Sequence, residues 1–177
     1  MKVIKTLFIG SSLLLVTLTL GLFVLSTSFD VEPVERSDYT AILMSRTELE
    51  KSIAYQSPKA IEQVGKIYKK DSWILITEKY KGIHIIDNTT PATPVNAGFI
   101  RIPGCVDISM KNNSLYADNS VDLVTLDMSS IPQIKVTSRL KNVFPELLPP
   151  DLEYIPSKFS QENRPANTVI VEWQKVK

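Results

Sequence analysis

Apolar and polar positions divide the chain into three regimes. Leu7–Leu25, "LFIGSSLLLVTLTLGLFVL", is an uninterrupted run without a charged residue. At about 1.5 Å per residue its 19 positions give about 28 Å of helix, enough to cross a hydrocarbon core. Residues 39–144 break into short runs of strand length, and residues 145–166 carry five prolines (145, 149, 150, 156, 165). "YTAILM" (39–44) predicts a strand. Ser45 and Glu48 then form an S-x-x-E capping box, which predicts a two-turn helix from about Arg46 to Ile53. "QSPKAIEQVG" reads as loop.

From Lys66 four runs follow closely: "KIYKK", "WILITEK", "GIHIID" and "NAGFIRIP", separated by "DS", "YK" and "NTTPATP". The separators are turn chemistry, since Asp, Asn, Ser and Gly tolerate tight turns and proline refuses a ladder hydrogen bond. Four further runs, "VDISMK", "NSLYAD", "DLVTLD" and "IKVTSRL", repeat the order. A shift of 40 places Leu75 on Leu115, Glu78 on Asp118, Ile83 on Leu123, Ile86 on Leu126, Asp87 on Asp127 and Ile100 on Leu140. A period near 40 with four strands per unit is the pattern of propeller blades. The expected fold is therefore mainly β: two four-stranded antiparallel propeller-like blades with a short N-terminal helix, preceded by one transmembrane or signal helix. The organisation is a signal-anchor segment 1–28 (core 7–25), a linker 29–38 and a β domain 39–177. Within that domain, units at about 63–103 and 104–144 precede a Pro-rich loop 145–166 and a closing strand 167–176.

Charge refines the address. Lys2 and Lys5 precede the apolar run, and Asp30, Glu32 and Glu35 follow it, which places residues 29–177 outside the cytoplasm by the positive-inside rule. The run is long for a cleavable signal, yet Ser26 and Ser28 suit cleavage after Ser28, so retained anchor and secreted or periplasmic forms both stand. No cysteine lies at positions 20–30 to take a lipid. Setting Lys2 and Lys5 aside leaves 18 basic against 19 acidic residues, so no field recruits nucleic acid. Cys105 is the sole cysteine, which rules out an intrachain disulfide.

The stretches Gly82-Ile83-His84-Ile85-Ile86-Asp87-Asn88, Ile102-Pro103-Gly104-Cys105-Val106-Asp107 and Leu115-Tyr116-Ala117-Asp118, with Pro91, Asp122 and Asp127, resemble the LVIVD-repeat, β-propeller-like proteins of bacterial cell envelopes. The resemblance runs from about Tyr39 to Trp173. It implies an exported protein of unassigned activity whose motif residues are structural, and a two-blade length that makes it either a short member or a truncated one.

Candidate chemistry is sparse. His84 is the sole histidine and shares a strand face with Ile86, so packing is expected of it. One His and one Cys leave no usual zinc set, and no cofactor is expected. Asp118, Asn119, Ser120 and Asp122 bring oxygen ligands close together, as a hard cation requires, but Leu123 and Ser129 stand where an EF-hand needs glycine and glutamate. Recurrence of Asp87 as Asp127 points to turn-capping. Tyr68, Trp73, Tyr80, Phe99, Tyr116, Phe144, Tyr154 and Trp173 are expected mostly in the core. The function these features favour is a non-catalytic, exported, membrane-tethered binding or assembly module of the bacterial cell envelope. It would present open sheet edges, loops and the Pro-rich segment to a partner protein, a glycan or another copy. The alternatives are an envelope hydrolase or metal-dependent enzyme using His84 with Asp87, Asp118 or Asp122, and a truncated propeller without independent function.

Overall fold

The computed structural model describes residues 36–131 and 134–176. The expected anchor or signal segment, residues 1–28, lies outside the described residues, as does most of the linker. Among the described residues no helix is long and apolar enough to cross a membrane.

The described chain is mainly β, in three antiparallel sheets, none of them closed. The strands are β1 (Tyr39–Ser45), β2 (Ala54–Gln56), β3 (Val64–Lys70), β4 (Trp73–Glu78), β5 (Gly82–Asp87), β6 (Val95–Arg101), β7 (Ile108–Lys111), β8 (Ser114–Asn119), β9 (Asp122–Asp127), β10 (Lys135–Leu140) and β11 (Thr168–Lys175). Among the described residues the one α-helix, α1, spans Arg46–Glu50, and a 3-10 turn spans Ser157–Phe159. The helix starts where the capping box predicts, with Ser45 Oγ accepting from the Glu48 N–H and the Glu48 carboxylate accepting from the Ser45 N–H. It stops three residues before the expected Ile53, because Ala54–Gln56 leave to pair with β6. The first repeat sheet thus has five strands, β2-β6-β5-β4-β3, rather than four; the second has the expected four, β10-β9-β8-β7.

The two sheets repeat at the level of register. Trp73 pairs with Asp87 across β4–β5, and Ser114 pairs with Asp127 across β8–β9. The offset between units is therefore 41 in the first strand of each hairpin and 40 in the second. The difference arises at the turn: residues 79–81 join β4 to β5, whereas only 120–121 join β8 to β9. A uniform shift of 40 is thus corrected by one residue before the turn. Leu75 corresponds to Tyr116, not Leu115, and Glu78 to Asn119, not Asp118. After the turn the shift of 40 holds down to the irregularity: the β5–β6 ladder breaks between Ile85 and Ile86, and the β9–β10 ladder breaks between Thr125 and Leu126. The tight turns correspond as well, with Asp71 and Asn112 both left-handed at φ 53° and 55°, a conformation Asp and Asn accept readily.

One slipped residue exchanges the faces of a strand, so this register decides which residues of the two sheets are equivalent. Leu75, Ile83, Ile85 and Ile100 of the first sheet form one buried cluster with Ile108, Leu115, Ala117, Val124 and Leu126 of the second. Their register equivalents lie on the opposite faces. The sheets therefore stack head to tail, each offering a different face to the shared core.

The β1 and β11 strands do not extend these sheets, as open edges would invite; they pair with each other as a separate ribbon. The ribbon seals the end of the stack where the two equivalent hairpin turns emerge. Tyr80 of the first turn packs with Ile170 and Trp173, while Val121 of the second packs with Leu49, Val169 and Val171. Trp173 Nε1 donates to the Leu147 carbonyl at 2.8 Å and its ring meets Phe159 edge-on, fastening the Pro-rich loop to the ribbon. Of the aromatics expected inside, Phe99, Tyr80 and Trp173 are buried, while Phe144 and Tyr154 are exposed.

Candidate functional site

The repeat-motif residues build turns and close crossings. Gly82 has φ 144°, and a Cβ there would lie 2.0 Å from the Ile100 carbonyl oxygen; Gly104 has φ 76°, with Ser120 N at 2.6 Å from such a Cβ. Both positions require glycine for conformation and for space. Ile83 is fully buried. Asp87 accepts from the Thr89 N–H and hydroxyl, and Asp127 accepts from the Ser129 N–H. These hydrogen bonds hold both carboxyls below the usual aspartate range. The Asn88 N–H donates to Ser72, and Pro91 sits exposed in the loop beyond. The carbonyl of buried Pro103 accepts from Asn119 Nδ2 at 2.6 Å.

A second group gathers at the start of β7. Asp118 Oδ1 accepts from the N–H groups of Val106 and Asp107 at 2.8 and 2.9 Å. Burial nevertheless raises its pKa against those hydrogen bonds. Asp107 caps the Ile108 N–H and pairs with Lys66 of β3 at 2.6 Å. Cys105 is buried beside them. Burial, reinforced by the nearby Asp118 charge, pushes its thiol well above the usual range, which disfavours the thiolate. Tyr116, half-buried, stands on the free face of the second sheet.

Asp122, the most engaged carboxylate, is fully buried. Arg46 donates to both of its oxygens at 2.9 and 3.0 Å, Arg139 donates at 2.7 Å, and the Asn142 N–H donates at 3.0 Å. Burial opposes its charge, but the donors outweigh it and hold the carboxyl below the usual aspartate range. The cluster ties α1, β9, β10 and the following loop together. It leaves Asp122 no vacant oxygen for a cation.

His84 is completely buried, its Nε2 at 2.6 Å from Glu78 Oε2 and its ring edge-on to Phe99 at 4.8 Å. Among the described residues its Nδ1 has no hydrogen-bond partner. The pair lies on the first sheet's outer face, under the connection 57–63, which must pass from β2 at one edge to β3 at the other. Lys59 anchors that connection: its carbonyl accepts from Asn96 at 2.9 Å and its ammonium lies 3.5 Å over the Phe99 ring. His84 is therefore not assembled with Asp87, Asp118 or Asp122. Asp87 faces the other side of the first sheet, and the other two belong to the second sheet with partners of their own. Among the described residues no group of three or more His, Cys, Asp or Glu is placed to hold a metal ion.

The Pro-rich loop bounds a cleft of about 610 Å³ whose walls include Arg46, Asn142, Glu146 and Arg164. Both arginines are committed, Arg46 to Asp122 and Arg164 to Glu146 and the carbonyls of Phe159 and Thr168. Sequence reading overlooked Glu78, Arg46, Arg139 and Arg164. For Glu78 a signal existed: a charged residue ends the apolar strand "WILITE", across one turn from the only histidine. The arginines gave none, since their partners stand 17 to 76 positions away. No protein-family model, curated protein or solved structure matches the chain.

Proposed function

We propose that the two repeat sheets are successive blades of a propeller-like array of the LVIVD-repeat kind, and that the chain is a non-catalytic binding or assembly module tethered at the bacterial cell envelope. The observation that carries this reading is an open stack with an inert interior. Among the described residues the second sheet leaves one face partly open, and the first sheet's outer face is covered only in part, by the connection 57–63. Each sheet ends in edge strands, whereas His84, Asp118 and Asp122 are engaged by neighbours of their own. The apolar run Leu7–Leu25 and its flanking charges support the tether and the outward placement of the β domain. Exposed apolar side chains support the binding role: Val64 and Ile67 on β3, Leu140 on β10, and Phe144 beyond it are all more than a third exposed.

The test is site-specific photocrosslinking in intact cells, with the probe at Ile67 or Leu140 of the full chain. A discrete heavier product from either site, absent with the probe at exposed Glu162, supports the reading. No product from either site overturns it.

A further inference from the structure

The repeat register identifies what each uncovered face is shaped to receive. Ile67 pairs with Ile76 in the first unit, as Ile108 pairs with Ala117 in the second. Ile108 is 6% exposed and packed between the sheets; Ile67 is 64% exposed. Ile74 and Ile76 are the equivalents of Leu115 and Ala117, which are buried in the shared core. The first sheet's outer face thus repeats, position for position, the face that the second sheet already packs inward. On the other side of the stack, Tyr116, Leu123 and Leu140 are the equivalents of Leu75, Ile83 and Ile100, which the second sheet covers. They remain partly or mostly open; Tyr116 and Leu123 line a hollow of about 360 Å³ together with Phe144, and Leu140 is 56% exposed.

We infer that these two faces are the halves of one interface, and that a second copy of this chain occupies them: the Ile67 face of one copy packs on the Tyr116–Leu123–Leu140 face of the next. This deepens the assembly reading proposed above and rests on it. The template is the chain's own core, in which Ile108 sits in one cluster with Leu75 and Ile83. Ile67 against Tyr116 and Leu123 reproduces that arrangement between molecules. The contact is heterologous, since the two surfaces differ, so it propagates into a ring or a row rather than closing as a symmetric dimer. The connection 57–63 crosses part of the Ile67 face and covers His84, leaving Val64, Ile67 and Lys69 beyond it. Four strands about 4.8 Å apart and about 20 Å long give about 400 Å² per partner, below the standard interface and in the range of weak association.

The experiment is the mass of the full chain in a non-ionic detergent, by light scattering with the detergent mass subtracted, from about 1 to 500 μM. The wild type should rise above one chain per particle, and passing two should follow at high concentration. Ile67→Asp and Leu140→Asp each put a charge in one half of the interface at a position more than half exposed. Each variant alone should stay at one chain per particle. An equimolar mixture should reach two and stop, because one intact pair of faces remains. That complementation also shows both variants to be folded. A wild type that stays monomeric over the range, single variants that still associate, or a mixture that fails to pair would each overturn the inference. A monomeric wild type together with a crosslinked product in cells would sink self-assembly while leaving the binding module standing.

Discussion

Removing the Asp122 carboxylate is the sharpest test of how the second sheet is held. Asp122→Ala takes away four charge-assisted or backbone hydrogen bonds at 2.7–3.0 Å. It strands two guanidinium groups whose side chains are only 20% and 12% exposed. Breaking a buried pair by deleting one partner costs roughly 3–5 kcal/mol. The lower end applies, because Arg46 keeps Glu50 at 3.7 Å and Arg139 keeps Asn119 at 2.8 Å. The expected loss is about 3 kcal/mol, which for a unit of this size lowers Tm by about 10 °C. Urea denaturation followed by Trp fluorescence measures it, with Arg139→Ala and the double variant completing a cycle whose coupling should exceed about 1 kcal/mol. The pH dependence adds a second arm. The folded carboxyl lies below its unfolded value, so its stabilisation is present above about pH 4 and disappears as pH falls through the folded pKa. Asp122→Asn should remove that part of the acid slope. A loss under 0.5 kcal/mol with an unchanged acid limb would refute the account of the cluster as a tie between α1 and the sheet.

Further expectations concern single features. Gly82→Ala meets the Ile100 carbonyl as well as an unfavourable φ, and should cost about 3 kcal/mol or more, or abolish soluble folding, by the same urea assay. His84→Ala opens a cavity beneath residues 57–63 and leaves Glu78 without its partner; a loss of about 2–4 kcal/mol at an unchanged m-value is expected. Ser45→Ala removes one half of the capping box and should cost about 1 kcal/mol, with Ser45→Asp recovering most of it. Cys105 should resist maleimide in the native chain and react fully in denaturant; rapid native labelling would contradict its burial.

Local chemistry was legible in the residues because its causes are local. The capping box at Ser45 and Glu48 set where α1 begins, and short apolar runs between Asp, Asn and Pro turns set ten of the strands. Recurrence of Asp87 as Asp127 correctly pointed to capped turns, since a side chain two residues from its acceptor needs nothing else folded. The shift of 40 showed that there were two units.

Tertiary structure decided what depends on long-range pairing. Ala54–Gln56 carries too few residues to declare a strand, and only the free edge of β6 makes it one. Whether Tyr39–Ser45 would join a repeat sheet or Thr168–Lys175 depended on competition between distant edges, which no local pattern records. The missing residue in the β8–β9 turn is visible as a deletion only once the ladders are paired, and it sets which residues of β4 and β8 correspond. The buried partners of His84 and Asp122 follow from the same cause: pairing chooses the face, and the face chooses the neighbours. Sequence therefore determined most of the elements and the repeat. The stacking of the sheets, and the faces it leaves partly exposed, came from pairing and packing, properties of the assembled chain alone.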